Sequence, residues 1–241
     1  MIDLYYWPTP NGWKISIALE EMGLPYEVKY VNIARGEQFA PEFLAISPNN
    51  RMPAIVDHDP PGGGAPLALF ESGAILLYLG EKSGRFLPAD VRGRYDVTQW
   101  VMWQMGGLGP MGGQVGHFRL YAPEPIEYAV NRYTDEVNRL YGVLDRRLTG
   151  RQYICGDVSI ADFACWPWIV PHQRHGQEIA KFANLHAWYE RMKQRPGLRR
   201  GFDVGAEIRR ASAAGPDAEA RKILFGQRAE TKSTVNTDDH R

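Results

Sequence analysis

Along the first 84 residues the apolar positions change period every few residues. Ile2–Trp7 is an aromatic-rich run of strand character. From Trp13 to Met22 the residues Ile15, Ala18, Leu19 and Met22 follow the 3.6-residue spacing of a helix face, with Gly23 suited to the left-handed residue that ends one. Alternation over Tyr26–Asn32 predicts a second strand, Pro41–Ile46 a short helical turn, Ala54–Asp57 and Leu67–Phe70 two short strands, and Ser72–Lys82 a helix closed by Gly84. Pro60-Pro61-Gly62-Gly63-Gly64 falls between the last two strands, where a hairpin loop is needed. The order is β-α-β followed by α-β-β-α.

After about Pro88 the strand signals stop. Val91–Leu108 has helical character, and Val130–Leu148 aligns Tyr133, Val137, Leu140, Tyr141, Leu144 and Leu148 on one stripe with Gly150 beyond it. A third helix follows Ser159, and a fourth covers about Leu185–Gln194 and stops at Pro196. Ser159-Ile160-Ala161-Asp162 has the form of a capping box, a structural device. A mixed half followed by an all-helical half predicts an α/β domain over residues 1–87 and an all-α domain over 88–208. Residues 209–241 are polar and read as a loosely ordered tail, packing only at Ile223-Leu224-Phe225.

Composition narrows the function. Lys and Arg together number 28, as do Asp and Glu, so no basic field exists to recruit nucleic acid or an anionic membrane, and neither partner is expected. Apolar runs such as Ala74–Leu79 fall far short of the roughly 20 residues of a membrane span. The N-terminus carries no basic and apolar leader pattern, which gives a cytoplasmic expectation. Cys155 and Cys165 form no Cys-x-x-Cys pair and read as reduced core residues. His172 and His175 lack an accompanying Glu in a metalloprotease arrangement, so no metal is expected. Gly107-Leu108-Gly109-Pro110-Met111-Gly112 spells Gly-x-Gly-x-x-Gly but follows a helix and contains a proline, which argues against a dinucleotide loop and for close helix packing.

The chemistry concentrates in Pro8-Thr9-Pro10-Asn11-Gly12, between the first strand and first helix. A helix start offers unpaired N–H groups and partial positive charge, Thr9 adds a hydroxyl and Asn11 an amide. An incoming thiol there would lose its proton more readily. The same residues also make an ordinary turn, with Thr9 or Asn11 as a plain N-cap. Pro53 stands at the start of a strand, where it cannot donate to a sheet. A cis Met52-Pro53 bond would turn the Met52 backbone toward a peptide-like ligand; a trans proline would be an unremarked strand start. Ser72 reads as the N-cap of its helix, either a simple cap or, with Glu71 to receive an ammonium, a grip for an amino-acid head group.

Thr9-Pro10-Asn11-Gly12-Trp13-Lys14, Asn50-Arg51-Met52-Pro53-Ala54-Ile55 and Glu71-Ser72-Gly73-Ala74-Ile75 occur in the order and spacing of glutathione transferases, and the resemblance covers about residues 1–200. It implies a thioredoxin-like N-terminal domain, a C-terminal helical bundle, a cis Pro53 and a homodimer. It also implies that Glu71 and Ser72 bind the γ-glutamyl group, that Met52 pairs with the cysteinyl backbone, and that Gln38 lies near the glycyl end. With no cysteine in the turn, Tyr5 or Tyr6 would have to serve if a tyrosine held the sulfur; Thr9 and Asn11 fit better and are the candidate catalytic residues. Together with Gly107–Met111 and Cys165-Trp166-Pro167-Trp168 this form resembles the bacterial nu-class enzymes, which reduce disulfides with one or two bound glutathiones; Arg132 matches a glutathione-contacting residue there. Arg132 equally suits a surface pair with Glu136. The resemblance makes small thiols and disulfides the substrates and glutathione-dependent disulfide reduction the leading activity. Conjugation of glutathione to electrophiles is the alternative within enzymes, and a glutathione-binding regulator with little catalysis is the alternative of another class.

Overall fold

The computed structural model describes residues 1–212 and 215–228. Strand β1 (Ile2–Tyr6) leads into α1 (Pro10–Met22), which returns the chain to β2 (Tyr26–Tyr30), parallel to β1. A short helix α2 (Pro41–Leu44) precedes β3 (Ala54–Asp57) and β4 (Leu67–Phe70), both antiparallel to their neighbours, and α3 (Ser72–Ser83) closes the unit. The strand order β2-β1-β3-β4 is that of a thioredoxin-like sheet. Gly23 and Gly84 end α1 and α3 at φ 70° and 63°, the left-handed geometry that glycine adopts freely.

The second half is all helical. The chain runs as α4 (Val91–Trp103), widens to a π turn over Gln104–Leu108, continues as α5 (Gly109–Gly116) and widens again over His117–Tyr121. The helix predicted to end near Leu108 therefore continues, because the glycines and Pro110 of α5 are accommodated within one helical path. After the long α6 (Glu127–Arg147) come α7 (Ile160–Ile169), α8 (Ala183–Lys193), α9 (Pro196–Asp203), α10 (Ala206–Ala211) and α11 (Ala218–Phe225). Pro196 stops nothing for long: it occupies the first position of α9, where a proline lacks only an N–H that has no helical partner.

The stretch expected to be a loose tail contains the end of α10 and the whole of α11. Asp217 caps α11 by accepting from Ala220 N–H at 2.8 Å, and Phe225 packs on His117 and Tyr121 at ring-centroid distances of 4.9 and 5.4 Å. The rest of that predicted tail, beyond residue 228, and residues 213 and 214 lie outside the described residues. No helix among the described residues is long and apolar enough to cross a membrane.

One buried cluster joins both halves, from Leu4 and Ile55 in the sheet through Ile15 and Leu19 of α1 to Phe163, Leu185 and Trp188. Helix α9 lies so close to α1 that a Cβ on Gly201 would stand 2.4 Å from the Ile17 Cα. Ser16 Oγ donates to the Gly201 carbonyl at 2.7 Å, and Arg195 clamps Glu21 through two nitrogens at 3.0 and 2.6 Å. The Ser159 capping box is present, and the buried Asp162 also accepts from Ile154 N–H at 3.1 Å and Trp188 Nε1–H at 2.7 Å.

Ser159→Ala should lower the unfolding free energy by about 1 kcal/mol. Asp162→Ala, which strands two further buried donors, should cost about 3 kcal/mol. Urea titration measures both, and glutathione affinity should be unchanged by Ser159→Ala.

Candidate functional site

The site forms where β1 turns into α1. Thr9 is the N-cap of α1, in extended backbone (φ −118°, ψ 164°), with Oγ1 accepting from Gly12 N–H at 3.5 Å. Pro10 takes the first helical position and Asn11 the second. As a donor the Thr9 hydroxyl reaches only the Trp7 carbonyl at 3.5 Å and Met52 Sδ at 3.9 Å, contacts long enough to leave it weakly held. Gly12 is required by the tightness of the turn, since a Cβ would meet the Trp7 oxygen at 2.3 Å. The first turn of α1 contains no acidic residue, so its positive end is not offset locally.

Asn11 is half-buried, and its Oδ1 accepts a hydrogen bond from Trp168 Nε1 at 2.9 Å. Beside the turn lies a cleft of about 790 Å³ lined by Trp7, Thr9, Trp13 and Tyr121. Arg174, Arg209 and Arg210 also line it against a single carboxylate, Asp217, giving it an excess of positive charge.

No protein thiol or free phenol stands at the turn. Cys165 is fully buried on α7, where burial pushes its thiol well above the ordinary value. Cys155 is half-buried with Sγ 3.6 Å from the Asp96 carbonyl, and burial, followed by the nearby Asp96 and Asp162 carboxylates, raises it to about 12. Tyr6 is inside the core and donates to the Val204 carbonyl at 3.0 Å, and burial raises its pKa. Tyr5 packs against Phe43 at 6.0 Å between ring centroids.

The Met52-Pro53 bond is cis, as the resemblance implied, and Met52 stands just outside the β3 ladder, which begins at Ala54. Glu71 and Ser72 open α3, with one correction to the sequence reading. Glu71, not Ser72, is the N-cap: it holds φ at 68°, a left-handed value uncommon outside glycine, and Ser72 is already inside the helix. Ser72 cannot cap because its hydroxyl is engaged elsewhere, accepting from Lys14 Nζ at 3.2 Å and facing Met105 Sδ at 3.5 Å. Backbone strain of this kind at Glu71 gathers at ligand sites.

Gln38 is buried; its Nε2 donates to the Ile33 carbonyl at 3.4 Å and its Oε1 is without a partner. Arg132 is exposed on α6, and of the expected site residues Thr9 alone lines the cleft; Asn11, Gln38, Met52, Glu71, Ser72 and Arg132 do not. The surface pair expected between Arg132 and Glu136 is not the one that forms: Glu136 is held by Arg139 through two contacts at 2.8 and 2.7 Å, three residues on instead of four back.

Lys14 is the site residue that sequence reasoning missed. Its amine is buried between Ser72 Oγ and Met105 Sδ, both at 3.2 Å, and burial lowers its pKa to about 7, against the smaller raising effects of Cys165 and Glu71. The available signal was a lysine inside the unbroken run Gly12–Leu19, every residue of which is buried. Among the described residues no group of three or more His, Cys, Asp or Glu gathers in a way that would hold a metal.

A thioredoxin-like sheet followed by an all-helical half is the architecture of a glutathione transferase. Residues 1–81 match the glutathione S-transferase N-terminal domain and residues 110–196 its C-terminal domain. The disulfide-bond oxidoreductase YfcG of Escherichia coli is 53% identical over 197 residues, which is 81% of this chain and 92% of that protein. A glutathione transferase family member from Pseudomonas fluorescens, solved with two glutathione bound, superposes with a TM-score of 0.79 at 46% identity, covering 83% of this chain and 92% of that one. One from Pseudomonas putida, solved with one glutathione disulfide per subunit, gives 0.79 at 45% identity over 84% and 91% of the two chains. The chain belongs to the glutathione S-transferase family and is an enzyme of that family.

Folding lowers the Lys14 pKa, so between about 7 and the ordinary lysine value the unfolded chain binds one proton more than the folded one. Wild-type stability relative to Lys14→Met should therefore rise with pH, by on the order of 2 kcal/mol between pH 7 and 9. Parallel urea titrations at the two pH values check this, and a pH-independent difference would contradict it.

Proposed function

We propose that this protein is a glutathione-dependent disulfide-bond reductase of the nu class, acting as a homodimer in the cytoplasm. The observation that supports the reading is a helix start that carries the Thr9 hydroxyl and the Asn11 amide and no thiol, next to a cleft with three arginines, while Cys165 is buried and Cys155 half-buried elsewhere. The nucleophile is then the thiol of bound glutathione. Glu71 and the first N–H groups of α3 receive the γ-glutamyl ammonium and carboxylate, the Met52 backbone pairs with the cysteinyl unit, Gln38 lies toward the glycyl end, and Arg132 contacts the ligand. The arginines beside the cleft favour an anionic tripeptide. The disulfide-bond oxidoreductase name of the Escherichia coli relative and the glutathione disulfide held by the Pseudomonas putida protein support the same reading.

The chemistry needs two glutathiones per disulfide. The first, as thiolate held by Thr9 and Asn11, attacks one substrate sulfur; a new S–S bond forms, the substrate bond breaks, and the leaving thiolate takes up a proton. A second glutathione thiolate attacks the glutathione sulfur of the mixed disulfide and releases glutathione disulfide and the second substrate thiol. The protein contributes lowered thiol pKa and alignment, and nothing on it is oxidised. The proposed dimer face is the exposed apolar set Leu67 and Phe70 of β4 with Tyr95 and Met102 of α4.

Asn11→Ala should cut turnover of hydroxyethyl disulfide by about tenfold or more, the worth of a hydrogen bond to a charged group, and lower the melting temperature only by the lost bond to Trp168. An unchanged rate removes Asn11 from the mechanism. A strong preference for a chlorodinitrobenzene-type electrophile over the disulfide would instead favour conjugation, and negligible turnover of both with intact glutathione binding would favour a regulator. Phe70→Asp should halve the mass measured by light scattering after size exclusion; a wild type that elutes as a monomer contradicts the dimer.

A further inference from the structure

A side-chain amide has two chemically opposite ends, and the one presented to a thiolate decides whether Asn11 attracts or repels it. The Asn11 Oδ1 stands 2.9 Å from Trp168 Nε1. An indole nitrogen can only donate, so the amide oxygen must face Trp168 and the NH₂ end is turned away from it. We propose that Trp168 is a positioning residue of the sulfur site, fixing the orientation of the Asn11 amide so that its nitrogen is the end offered to the thiolate. This rests on the reading in which Asn11 contacts the glutathione sulfur. It goes beyond that reading by placing the control of that contact in the helical half, 157 residues away in sequence.

The surroundings of the indole keep it from swinging out of reach. On one side it lies against the glycines of α5: a Cβ on Gly112 would stand 2.9 Å from Trp168 Cε3, one on Gly109 3.5 Å from Cε2, and one on Gly113 3.7 Å from Cη2. The His175 ring lies near-parallel to it, 6.5 Å away between centroids and inclined by 20°. His175 is itself buried and within 3.4 Å of the Tyr141 hydroxyl, and burial lowers its pKa to about 4, so the ring beside the indole is uncharged at neutral pH. Gly109 and Gly112 of the Gly-x-Gly-x-x-Gly run, with Gly113 beside them, thus have a physical use as the flat bed of this indole. Donation into Oδ1 also polarises the amide and strengthens its remaining N–H donors. The charged groups that line the neighbouring cleft are Arg174, Arg209, Arg210 and Asp217.

The test is Trp168→Phe, which keeps an aromatic ring and deletes the N–H, beside Asn11→Ala and the double variant. Three quantities are read: the pH titration of the bound glutathione thiol by its ultraviolet thiolate absorbance, kcat and KM with hydroxyethyl disulfide, and affinity for S-methylglutathione, which has no thiol to titrate. We expect Trp168→Phe to raise the bound thiol pKa toward that of Asn11→Ala and to lower kcat by about tenfold. KM and S-methylglutathione affinity should stay near wild type, and the double variant should be no worse than Asn11→Ala alone. If Asn11→Ala raises the thiol pKa and Trp168→Phe leaves it unmoved, Trp168 only packs and the proposal is overturned while the proposed function stands. If Asn11→Ala leaves it unmoved, the sulfur contact itself falls and this inference with it. Should Trp168→Phe fold poorly, site-specific benzothienylalanine, which keeps the bicyclic shape without the N–H, is judged by the same outcomes.

Discussion

Helix α1 has no solvent-facing side from Gly12 to Leu19, and that burial fixes where its N-terminus can point. The sheet covers it on one side, α3 and α7 pack along it, and α9 approaches until Gly201 nearly touches the Ile17 backbone. Such contact leaves almost no freedom to tilt, because a packed interior yields little to displacement. The turn that ends in Thr9 and Asn11 is thus held by both halves of the chain. Lys14 shows what this packing demands: an amine enters the core, is met by Ser72 and Met105, and gives up much of its affinity for a proton.

The candidate site is accordingly a joint construction. The N-terminal half contributes the turn, the Met52-Pro53 corner and the strained Glu71. The helical half contributes Met105 beneath Ser72, Trp168 on Asn11 and Tyr121 in the cleft wall. Helix α11 then spans the two. Phe225 lies on His117 and Tyr121, a Cβ on Gly36 would meet Ile223 at 3.7 Å, and Gln227 accepts from Arg51 at 2.6 Å. Both π-widened turns fall where the helical half reaches toward the first, at Met105 and at Tyr121, as such turns often do at functional sites.

What was legible in the sequence is what local chemistry dictates. Gly23, Gly84 and Gly150 announce left-handed helix ends, Ser159 and Asp162 announce a capping box, and Thr9-Pro10 announces a capped helix start. Misreadings arose where one residue type serves two purposes. Serine before a helix suggests a cap, yet Glu71 holds that position through a backbone angle that its side chain does not advertise. Proline both stops and starts helices, and Pro196 stands at both events, since α8 ends at Lys193 as expected and α9 begins at Pro196. Lysine suggests surface, so Lys14 in a core run went unnoticed, and Glu136 chose the nearer of two arginines. The Asn11–Trp168 contact had no local signature at all, because it is created by tertiary packing alone.

That Cys165 is buried and Cys155 half-buried, both away from the turn, has a consequence for how a protein with the proposed activity behaves over time. A reductase that attacks with its own cysteine alternates between oxidised and reduced forms and must be returned to the working one by a partner. A chain that reduces disulfides with a borrowed thiol, its own cysteines standing away from the turn, would have no redox memory. Under the proposed function its readiness would be set afresh by the small thiol it binds, so it would follow the surrounding thiol pool directly without storing any record of the last encounter.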